Sequence, residues 1–193
     1  MEKLAASLYV ADLAFLILFQ VLNREHALFP QAVSNYGLGR TARLFKIYLL
    51  AGSFAAPLLA WQFWVARDPA FPLAIPVYLL LVMAGRVTLA LFANERQVGA
   101  RTMAGQIHHA ATLLAFTCAY LAVVEATPGL ASEAIGLRFV VLIVVKHAIS
   151  LAFLAVVLTI STPLRRFFGL AERAFLYGTA LWFLTASLIL PPI

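Results

Sequence analysis

Three ionisable residues stand inside long apolar runs: Asp12, Arg86 and Lys146. A charge within a bilayer costs several kcal/mol, so such residues turn inward and take a partner. Asp12 lies about eight residues, and Lys146 about nine, from the same end of their respective apolar segments. Matched depth predicts an intramembrane ion pair between Asp12 and Lys146. Such a pair either fixes helix packing or forms part of a proton or cation relay.

A second group could do chemistry near one membrane face. His108 shares a helical stripe with Ala104, Ala111, Ala115, Cys118 and Ala122, whereas His109 shares one with Leu113, Phe116 and Tyr120. Small residues at that spacing let helices approach closely, so His108 is expected to face inward and His109 the rim. Ser34, His108 and Glu95 together could support nucleophilic hydrolysis, although they come from separate stretches and no G-x-S-x-G elbow is present. A structural histidine is the competing reading. Arg86 and His108, with the basic rim residues Arg40, Arg43, Arg101 and Arg173, could hold a lipid headgroup; the rim also serves membrane orientation by itself.

No metal centre or cofactor is predicted. His108 and His109 are adjacent rather than four apart, H-E-x-x-H is missing, and so are the glycine patterns of phosphate and dinucleotide loops. A bis-histidine haem would need His147 level with His108 or His109, and these differ by roughly 12–14 Å in depth. The single cysteine, Cys118, excludes a disulfide within one chain.

The elements that must position these residues are transmembrane helices. The 193-residue chain is 64% hydrophobic and 11% charged, against about 45–50% and about 25% for a soluble domain. A spanning helix needs roughly 20 apolar residues. Six runs qualify: 4–22, 42–66, 72–93, 104–124, 137–160 and 171–190. The fold class is therefore all-α, one polytopic bundle of six transmembrane helices. Short links, among them 125–136, make successive helices antiparallel. Pro57, near Gly52 and Ser53, marks a kink or cavity point in the second helix, and Thr102 a cap for the fourth. The first segment does not read as a signal peptide: Glu2 cancels Lys3, Asp12 breaks the apolar core, and no clean small-x-small site follows.

The net charge of +6 suggests nucleic acid at first, but the basic residues fall in short loops. Nine lie on one face (Arg24, Arg40, Arg43, Lys46, Arg96, Arg101, Arg165, Arg166, Arg173) and three on the other (Lys3, Arg67, Arg138). The positive-inside rule places the first face in the cytoplasm and both termini outside a cytoplasmic (inner) membrane. Membrane lipids are the expected partners, with a membrane-protein partner or a second copy as further options, and nucleic acid is excluded.

Three motifs carry a resemblance. Ser34–Asn35–Tyr36–Gly37 with Leu38–Gly39 resembles a serine-x-leucine-glycine loop. Leu91–Phe92–Ala93–Asn94–Glu95, followed by Thr102–Met103–Ala104–Gly105–Gln106–Ile107–His108, resembles F-P-T-D, a spacer and G-x-I-H. Gly169–Leu170–Ala171–Glu172–Arg173 resembles glycine-leucine-x-x-arginine. These patterns, six helices and the length resemble the prokaryotic membrane family called domain of unknown function 998, itself distantly similar to DRAM-like membrane proteins. The family's proline-threonine-aspartate is here Ala93–Asn94–Glu95. The resemblance implies a six-helix bundle and no particular reaction.

The first functional reading is a non-catalytic protein that binds lipid or a small hydrophobic ligand, or serves as an accessory subunit of a membrane complex. The second is a membrane-embedded lipid hydrolase or transferase centred on His108. The third is a small ion-coupled transporter using Asp12, Arg86 and Lys146.

Overall fold

A computed structural model describes residues 2–22, 29, 31–66, 71–92, 102–160 and 163–190. Among these residues are six α-helices: α1 (Glu2–Leu22), α2 (Ala42–Ala66), α3 (Ala74–Leu91), α4 (Met103–Glu133), α5 (Leu137–Ile160) and α6 (Phe168–Ile189). Short 3-10 turns span Val33–Gly37, Gly39–Thr41 and Pro163–Phe167. Among the described residues there is no strand. The chain is a polytopic helical membrane protein.

Each helix packs on its successor, and α6 returns to α1, so the six close into a ring. Helices α1 to α5 are each long and apolar enough to cross a bilayer. Helix α6 is 22 residues long but carries Glu172, Arg173 and several small polar residues. It can afford them because it is walled in by α5 and α1 and also touches α4 and α2. Helix α5 is the opposite case. Its outer face presents Val140, Val144, Leu151 and Leu154, with the exposed His147 among them, a mostly apolar surface suited to lipid rather than water.

Helix α4 is longer than its apolar run suggests. Residues 125–133, expected to be a link, continue the helix to Glu133 despite Pro128. The reason is burial. Ala126 and Leu130 are fully enclosed in the main core, and this outweighs the turn signal of Pro128–Gly129. At 31 residues the helix is about 46 Å long, more than the roughly 30 Å hydrocarbon layer requires. Elsewhere the differences are at helix ends. Helix α3 starts at Ala74 rather than 72, with Ile75 N–H bonded to the Pro72 carbonyl at 3.0 Å, and α6 starts at Phe168 rather than 171.

The expected cap is present: the Thr102 hydroxyl accepts the Gly105 N–H at 3.1 Å at the start of α4. Helices α3 and α4 approach closely at Gly85. A Cβ there would lie 2.9 Å from the Ala115 Cβ, tighter than methyl groups pack, so the small stripe on α4 and Gly85 on α3 are two halves of one contact.

Residues 31–37, ahead of α2, are tied to the bundle. Val33 and Tyr36 are buried in a second core with Leu16, Phe19, Phe45 and Tyr48. The Phe19 and Tyr36 rings stack at 5.2 Å.

Candidate functional site: a polar cavity inside the helix ring

The buried charge pair is Asp12 with Arg86. The guanidinium grips the carboxylate with two bonds, Nη2 to Oδ1 at 2.7 Å and Nη1 to Oδ2 at 3.1 Å. This corrects the expected Asp12–Lys146 pairing. Matching depth is necessary but not sufficient, because angular position around the ring decides which side chains meet. Helix α5, which bears Lys146, packs on α4 and α6 rather than on α1. Lys146 is half-buried and has no ion-pair partner among the described residues.

Local sequence explains how α2 receives Arg86. The guanidinium lies against the backbone of α2 at Gly52, where a Cβ would overlap it. There it donates from Nη2 to the Tyr48 carbonyl at 3.0 Å and from Nε to the Leu49 carbonyl at 3.3 Å. The Tyr48 ring lies 4.6 Å from the guanidinium carbon, within range of a cation–π contact. Two charge-assisted bonds, two carbonyls and an aromatic face offset the removal of both ions from water.

Beside this pair is a cavity of about 70 Å³. Every helix except α5 lines it, together with Val33 and Ser34 of the first 3-10 turn. Its polar lining includes Tyr9, Asp12, Ser34, Arg86, His108, Thr112 and Glu172; its walls are aromatic and aliphatic, including Phe45, Phe116, Phe175 and Phe183. Tyr9 sits three residues before Asp12, hence on the same helical face. It is 3% exposed, and its hydroxyl has no hydrogen-bond partner among the described residues. A buried hydroxyl in that state is costly, and Tyr9 lines the cavity, where an entering group could satisfy it.

His108 is buried on the inward face and His109 is exposed. The His108 Nδ1–H donates to the Phe92 carbonyl at 2.9 Å. A carbonyl can only accept, so the neutral ring carries its proton on Nδ1 and keeps Nε2 as an acceptor. Ser34 lines the same cavity, so two of the three residues considered for hydrolysis share one space. The third, Glu95, lies outside the described residues, as does Arg101.

The remaining basic candidates are elsewhere. Arg40 and Arg43 are exposed at the end of the bundle. Arg173 is buried and fastens the segment after α1 to α6, with Nη1 bonded to the Gln31 carbonyl at 2.7 Å and Nη2 to the Tyr36 hydroxyl at 3.0 Å. Its neighbour Glu172 accepts the Val33 N–H at 2.6 Å. Gly169 permits this docking, because a Cβ there would overlap the Gln31 carbonyl oxygen. Glu172 and Arg173 thus hold Val33 and Ser34 against the cavity.

Sequence reasoning missed Tyr9 as a site residue. Its signal was its position one helical turn before a buried aspartate. It also missed the role of Gly52, which sits beside Ser53 and before Pro57 in α2.

The family model described as "Protein of unknown function (DUF998)" matches residues 6–189. The chain belongs to this family. The match spans all three motif regions: Ser34–Gly39 supplies the loop at the cavity, Gly105–His108 the inward histidine, and Gly169–Arg173 the clamp on that loop. No curated protein and no solved structure matches the chain.

Proposed function

We propose that this membrane protein is a non-catalytic binder of a small amphiphilic molecule, held in the cavity within the helix ring. The observation that carries the reading is the Tyr9 hydroxyl, buried without a partner among the described residues beside an Asp12–Arg86 pair that is otherwise satisfied. Ligand sites are typically mostly apolar, with a few converging polar groups, and this lining has that character. We further assign the end bearing Arg40, Arg43, Lys46, Arg165 and Arg166 to the cytoplasm and both termini to the outside of the cytoplasmic membrane, since basic residues concentrate at that end.

Native mass spectrometry of protein released from mild detergent tests binding. Wild type should retain a stoichiometric small-molecule adduct. Val82→Phe and Ala180→Leu, which add bulk to the cavity wall, should lose it while keeping their thermal unfolding transitions. An adduct equally abundant in the filled variants would contradict the assignment.

A second reading rests on a separate observation, the shared cavity of Ser34 and His108. A serine hydroxyl and a histidine with an acceptor Nε2 in one cavity are the residue types that nucleophilic catalysis needs. A fluorophosphonate should then label Ser34 in wild type but not in His108→Ala; absence of label in wild type would remove this reading.

A further inference from the structure

The polar groups left open in the cavity specify a ligand chemistry. This deepens the binding reading above and rests on it. We propose that the cavity receives the hydroxyl group of an uncharged alcohol, which accepts from Tyr9 and donates to Asp12.

Charge decides first. Asp12 and Arg86 neutralise each other through two short bonds. An incoming anion would compete with Asp12 for the guanidinium and leave one carboxylate uncompensated. An incoming cation would lie beside Arg86 with Asp12 already engaged. Either case buries an unmatched charge among largely apolar walls, which costs several kcal/mol. Glu172, the other carboxylate on the lining, already has Arg173 beside it as countercharge. An uncharged ligand incurs none of this.

Hydrogen bonding decides next. The Tyr9 hydroxyl lacks a partner among the described residues. Arg86 has five N–H groups; four are used, on Asp12, Tyr48 and Leu49, which leaves one on Nη1. Each Asp12 oxygen accepts one bond from Arg86 and retains further lone-pair capacity. The open positions are therefore donors and acceptors together. A ketone or ether could only accept. A hydroxyl both accepts and donates, and so answers Tyr9 and Asp12 at once.

Size decides last. A cavity of about 70 Å³ is about half the ~150 Å³ that holds benzene. It admits a hydroxyl with a short length of carbon chain, flanked by Phe116 and Phe183, and excludes a glycerophosphate headgroup. The alcohol could be a short soluble molecule or the hydroxyl end of a membrane-resident chain.

The test uses the full chain in nanodiscs and a diazirine-bearing octanol as photoprobe. Octanol, octanoate, octylammonium, octane and propanol are added as competitors. The label should fall on peptides lining the cavity from α1 or α4, and octanol should compete best among the octyl compounds. Tyr9→Phe removes the donor without changing shape or membrane partitioning. It should weaken octanol competition roughly three- to tenfold, the loss expected for one neutral hydrogen bond, and leave octane unchanged. Propanol competing as well as octanol assigns a short alcohol, and octanol far ahead of propanol assigns a chain alcohol; both support the proposal. Octanoate or octylammonium competing as well as octanol, or Tyr9→Phe leaving octanol unaffected, overturns the alcohol assignment while the binding reading stands. Absence of label at the cavity in wild type overturns both.

Discussion

Gly52 on α2 lies directly against the guanidinium of Arg86 on α3, and no side chain larger than hydrogen fits between them. This contact lets Arg86 bond the Tyr48 and Leu49 carbonyls and still reach Asp12 on α1. Gly52→Ala should displace the guanidinium and cost about 3–5 kcal/mol, the scale of breaking a buried pair. The same substitution should cost much less in an Arg86→Met background, where no planar group is displaced. Thermal unfolding in detergent of the two singles and the double reads this directly; equal costs in both backgrounds would show that Gly52 serves some other contact.

The clamp between α6 and the segment after α1 makes a separable prediction. Glu172→Gln weakens a charged acceptor to the Val33 N–H, and Arg173→Met removes the bonds to Gln31 and Tyr36. Each bond to a charged group contributes about 1.5–3 kcal/mol. Hydrogen exchange should rise across residues 31–37 in both variants, more in Arg173→Met, with α3 and α4 little changed. A rise spread evenly over all six helices would mean that the pair supports the whole bundle instead.

Helices α3 and α4 meet where Gly85 faces Ala111 and Ala115. Gly85→Val should force them apart and destabilise the protein by about 1–3 kcal/mol, the usual cost of overpacking. Compensation should come from Ala115→Gly in the same chain, visible as a recovered unfolding midpoint.

Lys146 provides the contrast to Arg86. It has no ion-pair partner among the described residues, and it is carried by the helix that does not line the cavity. Lys146→Leu should alter stability by no more than about 0.5 kcal/mol in either direction and leave ligand retention unchanged. A large loss would reveal an electrostatic role for this lysine.

What the sequence made legible follows from which physical signals are local. Apolar run length located the helices, because a bilayer imposes a minimum length on every one of them. The small stripe through Ala111 and Ala115 pointed His108 inward, because helical periodicity fixes which residues share a face. The partner of Asp12 was not legible in the same way. Depth along the membrane can be counted from a segment end, but the position of a helix around the ring depends on packing. That is why depth alone pointed from Asp12 to Lys146 and passed over Arg86. The extension of α4 past Pro128 was hidden for a related reason: burial of Ala126 and Leu130 by distant residues overrode a local turn signal.

Asp12 and Arg86 form one buried pair, and the polar core of the cavity rests on their coupling. The direct measurement is a double-variant cycle of Asp12→Asn, Arg86→Met and their combination, followed by unfolding in detergent. Asp12→Asn should be the worst of the three, by about 3–5 kcal/mol, because the guanidinium cannot shed its proton and is left as a buried charge. Arg86→Met should cost less, since Asp12 can take up a proton, and the combined variant should recover much of the loss from Asp12→Asn. If the two losses simply add, Asp12 and Arg86 are not coupled, and the polar core described for this cavity is wrong.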